Sequence, residues 1–214
     1  LIGLSASGDN LWHIENLPTP IDWLVGKDDL LFTVGGDQPA LYRLAGLGQL
    51  DLIAALGGRL AASADHLFVY APTALYRFSE TPQLLKVLDR TGYTQGGLIV
   101  TPDGGVIIAH SGVDGRRLIA LRPDGSLRWD RSIQTITGDA PRLVVIKHDV
   151  YAVTQEGDVW WIDQKLGEAQ RVLDGPRLLT LPGHVQSVVM ADGTLIFDAR
   201  GGRVAALDPH AALI

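Results

Sequence analysis

The sequence predicts an all-β protein, a β-propeller built from four-stranded antiparallel blades. The main observation is an internal repeat: LIALRPDGSLRW (residues 118–129) has a copy in LIGLSASGDNLW (residues 1–12), with Leu, Ile, Leu, Gly and Trp at identical offsets. Each copy is typical of a strand, a tight turn and a second strand. The composition agrees, because 25 Gly, 11 Pro and only 20% charged residues indicate a turn-rich chain with few surface helices.

The first strand of this repeat recurs at intervals of about 40 residues. Its copies are LIGL at Leu1, LYRL at Leu41, LYRF at Leu75, LIAL at Leu118, VWWI at Val159 and VAAL at Val204. A period near 40 is typical of propeller blades. Helical arrays of similar period need apolar spacings of three and four residues, and the two-residue alternation here does not give them.

A further pair of short apolar strands precedes every copy after the first. These pairs span residues 21–25 with 30–34, 60–63 with 67–70, 98–101 with 106–109, 143–146 with 150–153, and 185–190 with 194–197. Their connectors are rich in the Asp, Gly and Pro that β-turns require. Labelled A to D from the inside of the propeller outward, the strands make about five and a half blades in one domain, residues 1–214.

The two ends of the repeat series are incomplete. The first blade lacks strands A and B, and the last repeat stops at Ile214, one residue before its Trp would fall. Missing strands would leave unpaired sheet edges in a closed propeller. We therefore expect the chain to be part of a longer protein.

Three short patterns accompany the repeat: Leu-Asp-Pro at 207–209, Ile-Asp-x-x-x-Gly at 162–167, and the terminal Trp12 and Trp129. Together they resemble the pyrroloquinoline-quinone-like (BamB-like) propeller repeat. The family unit Ala-x-Asp-x-x-x-Gly-x-x-x-Trp is matched at Asp163 and Gly167, whereas Arg171 stands at the Trp position. The resemblance covers the whole chain as degenerate copies. It implies a propeller that is either a quinoprotein dehydrogenase or a non-catalytic protein of the bacterial cell envelope.

For a quinoprotein enzyme, the resemblance implies a bound quinone, a calcium ion, a catalytic Asp and often a vicinal disulfide. This sequence has no Cys, no calcium loop of the D-x-D-x-D-G kind and no Asp in a matching motif. The spacing H-x-x-x-H and the nucleophile elbow G-x-S-x-G are also absent from it. We therefore expect no enzyme activity, cofactor or metal, and a scaffold or protein-recognition module instead. The alternative is a small-molecule sensor, or a quinoprotein-like or sugar-active enzyme, that uses the propeller channel.

Charge and hydropathy bear on the other classes of partner. The net charge is −6 and no run of Lys or Arg occurs, which argues against nucleic acid. The longest charge-free run, residues 178–191, is shorter than the roughly 20 apolar residues of a membrane-spanning helix. The absence of Cys does not fix the redox compartment. The resemblance implies the periplasm or cell envelope, and a cytoplasmic location stays open.

The tryptophans have two interpretations. The fixed repeat position of Trp12 and Trp129 predicts that both fill gaps between neighbouring blades, although an indole could also stack on a flat ligand. Trp160 and Trp161 are adjacent, so their side chains point to opposite faces of a strand. At least one of these two could be exposed for binding.

Turn and histidine residues are expected to be structural. Asp103 and Asp124 stand in Pro-Asp-Gly turns, where a short carboxylate accepts hydrogen bonds from backbone N–H groups and Gly takes the positive φ. The histidines show no metal-ligand spacing, and we expect them at the surface or in turns. They are His13, His66, His110, His148, His184 and His210.

Propeller geometry places a binding site where the D-to-A and B-to-C connections gather at one end of the channel. The polar residues of these connections are His13, Glu15, Tyr93, Gln95, His110, Asp114, Arg116, Asp139, Arg177, His184, Asp198 and Arg200. Arg and Tyr are enriched at protein contacts. We therefore predict that a protein partner binds through the four members of the set that are Tyr or Arg, namely Tyr93, Arg116, Arg177 and Arg200.

Overall fold

The computed structural model describes residues 2–4, 7–14, 20–25, 29–35, 37–45, 48–63, 65–78, 82–87, 94–112, 115–134, 136, 141–146, 148–154, 158–173, 186–189, 194–199 and 203–207. Every regular element in these ranges is a β-strand. By its contacts, the chain divides into two compact units, Leu1–Asp89 and Arg90–Ile214. That the whole chain is one domain stays a prediction.

The first unit contains a hairpin and two four-stranded antiparallel sheets. The hairpin pairs β1 (Ile2–Leu4) with β2 (Asn10–His13). The first sheet consists of β3 (Pro20–Val25), β4 (Asp29–Val34), β5 (Ala40–Ala45) and β6 (Gln49–Ala54). The second consists of β7 (Arg59–Ala62), β8 (Leu67–Ala71), β9 (Ala74–Phe78) and β10 (Pro82–Val87). Within each sheet the strands lie in chain order, which is the predicted A to D order.

The second unit contains two four-stranded sheets and one sheet with three described strands. The first consists of β11 (Thr94–Val100), β12 (Val106–Gly112), β13 (Gly115–Leu121) and β14 (Leu127–Ser132). The second consists of β15 (Arg142–Ile146), β16 (Asp149–Val153), β17 (Val159–Ile162) and β18 (Ala169–Leu173). The third consists of β19 (Gln186–Val189), β20 (Leu195–Ala199) and β21 (Arg203–Leu207). The predicted fold class, an all-β propeller with four-stranded antiparallel blades, is confirmed.

The two copies of the sequence repeat that end in Trp form hairpins of the same register. Gly3 lies opposite Trp12 in the first, and Ala120 lies opposite Trp129 in the second. In each hairpin the β-bulge lies between this residue pair and the turn, directly after Gly3 in the first and directly after Ala120 in the second. In the β5–β6, β9–β10 and β17–β18 hairpins, the bulge lies at the other end of the first strand. The shared residues therefore specify one particular form of the hairpin.

In the second unit, one apolar core lies between the β11–β14 sheet and the β15–β18 sheet. Its buried members are Ile99, Ile107, Ala109, Leu118, Ala120, Trp129, Ile133, Ile136, Leu143, Val150, Ala152 and Ile162. The first strands of the two sheets approach closely, since the Gly97 N–H donates to the carbonyl oxygen of Pro141 at 2.9 Å. A Cβ at Gly97 would lie 2.2 Å from the Leu143 nitrogen, so only Gly fits at this position.

The two sheets of the first unit meet in a similar way. The Leu60 N–H donates to Oδ2 of Asp22 at 2.8 Å, which joins β7 to β3. Leu41, Leu60 and Val69 form a buried apolar cluster with partly buried neighbours from both sheets. Apolar burial of this kind provides most of the stabilisation of stacked sheets. Neighbouring blades thus pack face to face within each unit.

Candidate functional site

Arg116 is the one member of the predicted partner-binding set that the structure describes. It lies near the start of β13, opposite Ser111 of β12. Its Nη1 donates to the carbonyl oxygen of Ile136 at 2.5 Å, and its own carbonyl accepts from the Ile133 N–H at 2.8 Å. Tyr93, Arg177 and Arg200 lie outside the described residues, so the grouping of the four side chains stays a prediction.

The contacts of Arg116 hold the D-to-A connection that follows β14. Ile133 and Ile136 of this connection are both buried in the core between the two sheets. Arg116 is itself half-buried, and its Nε and the Oγ of Ser111 are buried without a hydrogen-bond partner in the described part of the chain. The prediction treated Arg116 as an exposed contact residue. In the structure Arg116 also stabilises the fold, because its guanidinium donates a hydrogen bond to the backbone carbonyl of Ile136.

His110 lies in β12 next to this position, and it corrects the expectation that the histidines are at the surface or in turns. Its side chain is only 4% exposed, and it lies opposite Arg117 of β13. Arg117 in turn donates from Nε to Oδ1 of Asp130 at 2.9 Å. Burial lowers the pKa of His110, the negative Asp130 opposes this shift, and the positive Arg117 adds to it. The imidazole is therefore held neutral near pH 7.

The other predicted histidines and connection residues that the structure describes lie on several different strands and turns. His13 and His148 are exposed, and His66 is half-buried. Gln95 lies in β11, opposite His110, and Asp198 lies in β20. The others of the predicted sets, His184, His210, Glu15, Asp114 and Asp139, fall outside the described residues.

The sequence analysis missed a buried polar pair at the B-to-C connection of the next sheet. Thr154 and Asp158 are 1% and 6% exposed. The Thr154 N–H donates to the Asp158 carbonyl at 3.0 Å, and the Asp158 N–H donates to Oγ1 of Thr154 at 3.1 Å. Asp158 directly precedes VWWI, but the same repeat position holds Ala40, Ala74 and the half-buried Arg117 in other copies. The repeat therefore carried no signal for a buried polar residue at this position.

The structural role predicted for Asp103 and Asp124 is confirmed. Oδ1 of Asp124 accepts from the Ser126 N–H at 2.9 Å, and Oδ1 of Asp103 accepts from the Gly105 N–H at 3.3 Å. The glycine that follows each Asp has a positive φ, 82° and 84°. Burial raises the pKa of Asp103, but hydrogen bonds from Thr101, Arg128 and Gly105 outweigh it and hold the pKa below its ordinary value.

Trp129 fills a gap between neighbouring blades, as predicted. It is 5% exposed, and its Nε1–H donates to the carbonyl oxygen of Gln164, in the turn between β17 and β18 of the next sheet, at 2.9 Å. Because Trp129 is buried, it presents no face on which a ligand could stack. The side chain of Trp12 lies outside the described residues, so its burial stays a prediction.

Trp160 and Trp161 point to opposite faces of β17, as predicted, and neither is exposed. Trp160 packs against the core shared with the β11–β14 sheet, and the Arg171 guanidinium carbon lies 5.8 Å from its ring centre. Trp161 packs against the apolar cluster on the other face and donates to Oδ1 of Asp149 at 3.2 Å. Both indoles are half-buried and engaged in packing, so neither presents an open binding face.

Two further properties concern the described residues alone. Among them, no three His, Asp or Glu side chains converge in a way that could hold a metal ion. They also include no helix with the length and apolar character needed to cross a membrane.

Comparison with known families gives one match over nearly the whole chain. The model of the family described as outer membrane protein assembly factor BamB matches residues 2–211. No curated protein matches the sequence.

Solved structures with a similar fold share little sequence with the chain. BamB from Moraxella catarrhalis has a TM-score of 0.63 at 16% identity, over 96% of this chain and 65% of its own. A structural genomics protein of unknown function from Bacteroides thetaiotaomicron has a TM-score of 0.66 at 13% identity, over 89% of this chain and 55% of its own. The computationally designed Ika8 protein has a TM-score of 0.65 at 15% identity, over 97% of this chain and 64% of its own. The chain thus spans less than two thirds of the length of each, and the likeness shows the fold.

Proposed function

This chain belongs to the family of outer membrane protein assembly factor BamB, and from that premise we propose that it is a non-catalytic protein-binding scaffold of the bacterial cell envelope. The observation that carries the proposal is the family match, which extends over residues 2–211. The family description names a factor in protein assembly, and such a factor has to bind other proteins. The partners proposed for this chain are therefore proteins of outer membrane assembly.

The packing of the blades supports a scaffold role. Leu118, Ala120 and Trp129 of one sheet are buried against the next sheet, which fixes the strands before any partner binds. A surface held in this way loses little conformational entropy on binding, so more of the contact free energy appears as affinity. The connections between strands can then differ in sequence without disturbing the blades.

The proposed contact surface is the set of D-to-A and B-to-C connections that carries Tyr93, Arg116, Arg177 and Arg200. Arg provides planar donors for carboxylates, and Tyr provides a large contact area with few rotamers to order. Arg116 has a double role in this proposal, because one of its nitrogens already bonds the Ile136 carbonyl. The partner would meet the remaining part of its guanidinium.

The direct test is complementation in a bacterium that lacks its own BamB-family protein. The full-length protein that contains this chain should restore the amount of folded outer membrane proteins and should co-purify with the assembly proteins. If folded outer membrane proteins stay at the level of the deletion strain and no assembly protein co-purifies, the scaffold proposal is wrong.

A thermal-shift experiment tests the alternative, a sensor or enzyme that binds a small molecule. Pyrroloquinoline quinone, calcium and a panel of sugars are added to the purified chain. A ligand that binds only the folded state raises Tm by mass action. We expect no specific rise. A rise that saturates with one compound, together with turnover of a quinone-linked substrate, would replace the scaffold by the alternative.

A further inference from the structure

In the described part of the chain, no strand pairs with the outer edge of β6. β6 is the last strand of the β3–β6 sheet, and β5 is the strand that pairs with it in the described part of the chain. Every strand has two edges of backbone N–H and C=O groups, so one edge of β6 faces away from its own sheet. Such an edge can pair with an added strand.

The side chains of β6 are unusually apolar for an exposed strand. Leu50, Leu52 and Ile53 are 37%, 62% and 40% exposed. Leu50 lies opposite Leu44 and Leu52 lies opposite Tyr42, so both stand on one face of the sheet. Ile53 is the extra residue of the bulge, which leaves Gln49 to Leu52 in regular register. Half of the six residues of β6 thus expose apolar surface beside this outer edge.

The last strands of the other four-stranded sheets carry features that discourage pairing with another chain. β10 contains Pro82 and Lys86, β14 contains Arg128 and Arg131, and β18 contains Arg171. Proline and positively charged side chains are the usual protection of sheet edges. β6 contains no Pro, Lys or Arg.

The one charge on β6 is already neutralised within the sheet. Asp51 accepts hydrogen bonds from Arg43 at 3.0 Å and from Gln49 at 3.1 Å. The Arg43 hydrogen bond is the main reason that the pKa of Asp51 lies below its ordinary value. The edge therefore presents apolar side chains and a compensated charge.

We propose that the outer edge of β6 binds an extended, uncharged segment of a partner protein, which pairs as a fifth antiparallel strand. Only an extended chain places N–H and C=O groups at the spacing of a strand edge. An uncharged segment with alternating apolar side chains complements this edge in charge, because it buries no ion against Leu50 and Leu52. The inference rests on the proposed protein-binding function, but it uses residues of β6 and none of Tyr93, Arg177 and Arg200.

The test uses a defined probe, an end-capped fluorescent peptide of eight alternating Thr and Val residues, and measures its Kd by anisotropy. The same peptide with alternate N-methyl groups, which cannot pair along one edge, should not bind. Leu52→Lys in the full chain should weaken binding of the unmodified peptide at least tenfold. Leu84→Lys is the matched control, because Leu84 is 51% exposed on β10. It should bind the peptide as the unchanged chain does.

Several outcomes would overturn the inference. These are no binding to the unchanged chain, equal binding of the N-methylated peptide, or equal weakening by Leu52→Lys and Leu84→Lys. If the chain forms a dimer in the absence of peptide and Leu52→Lys dissociates it, a second copy of the chain occupies the edge, which would also overturn the inference.

Leu50→Lys is a second edge variant, and it should weaken binding in the same direction as Leu52→Lys. A variant with Tyr93, Arg177 and Arg200 replaced by Ala should still bind the peptide, which separates this inference from the connection surface.

Discussion

The indole ring of Trp129 lies directly against Gly167 of the neighbouring sheet. A Cβ built on Gly167 would approach two atoms of that ring to 2.7 Å, closer than real Cβ contacts come. Gly167 also has φ of +73°, a conformation that L side chains rarely adopt. Two independent constraints therefore require glycine at this position, and one of them is the buried tryptophan.

The first prediction is that Gly167→Ala destabilises the protein strongly. The positive φ costs an L residue about 1 kcal/mol or slightly more, and forced overlap in a packed site adds about 1 to 3 kcal/mol. We expect the free energy of unfolding, measured by urea denaturation, to fall by about 2 to 4 kcal/mol.

Gly104→Ala is the matched control for this substitution. Gly104 lies in the same unit with φ of +82°, but the nearest atom to its Cβ position is 3.8 Å away. Gly104→Ala should show the conformational cost of the positive φ alone, about 1 kcal/mol. Equal losses for both variants would contradict the contact between Gly167 and Trp129.

The second prediction concerns Trp129 itself. Trp129→Ala should lower the free energy of unfolding by about 3 to 5 kcal/mol, because it leaves a cavity between two sheets and frees the Gln164 carbonyl. Leu127→Ala on the same strand is the control, since Leu127 is 47% exposed. Its effect should stay within about 1 kcal/mol. If both variants lower the free energy of unfolding by a comparable amount, Trp129 does not stabilise the protein by filling the gap between the two sheets.

Trp129 and Gly167 also illustrate how much of the fold the sequence could predict. The repeat LIALRPDGSLRW predicted the β13–β14 hairpin and the burial of its Trp. These predictions succeeded because the pattern of apolar residues and turn glycines follows from local backbone geometry. Asp163 and Gly167 were predicted only as a match to the family repeat, and the contact between Gly167 and Trp129 was not predicted. Strand β11 begins at Thr94, four residues before its predicted start at Leu98, because its pairing with β12 continues past the irregularity between Gln95 and Leu98. The two glycines there have no side chains, so they do not extend the apolar pattern.

The site was harder to predict, and His110 shows why. The sequence places it at the end of an apolar strand, which does not reveal whether the next sheet or loop covers it. Its burial depends on packing between elements distant in sequence, as does the bond between Arg116 and Ile136 across 20 residues. The buried pair of Thr154 and Asp158 was missed for the same reason. Polar residues at strand ends have no periodicity that distinguishes a covered position from an open one.

The third prediction is a pH dependence that originates at His110. The pKa of His110 in the folded protein is below the unfolded value of about 6.5, so the unfolded state binds the proton first. Stability from this group is fully present above pH 6.5 and is lost as the pH falls from there toward the folded pKa. The free energy of unfolding should therefore decrease below pH 6.5 with a slope of up to about 1.4 kcal/mol per pH unit from this group.

His110→Gln should remove this contribution from the slope, because glutamine does not titrate. The measurement is a series of urea denaturations at half-unit steps between pH 7.5 and pH 5. His148→Gln is the control, since His148 is exposed in the same unit. If the slopes of the unchanged chain and His110→Gln coincide below pH 6.5, the burial of His110 does not govern acid stability.

The fourth prediction separates the structural and binding roles of the predicted contact residues. Arg116→Ala leaves the Ile136 carbonyl without its donor, so it should lower the free energy of unfolding by about 1 to 3 kcal/mol. Arg142→Ala, at an exposed position on β15, should change it by less than about 0.5 kcal/mol. Equal small effects would show that the Arg116 bond does not contribute to stability.

The fifth prediction concerns the other three predicted contact residues, Tyr93, Arg177 and Arg200. Replacing Tyr93, Arg177 and Arg200 together by Ala should leave the thermal melt nearly unchanged, because surface substitutions seldom exceed about 0.5 kcal/mol each. Co-purification with outer membrane assembly proteins should fall at least roughly tenfold, which corresponds to about 1.4 kcal/mol of lost binding free energy. An unchanged melt together with unchanged co-purification would mean that the partner does not bind these connections. A lowered melt would instead give these side chains the kind of structural role that Arg116 has.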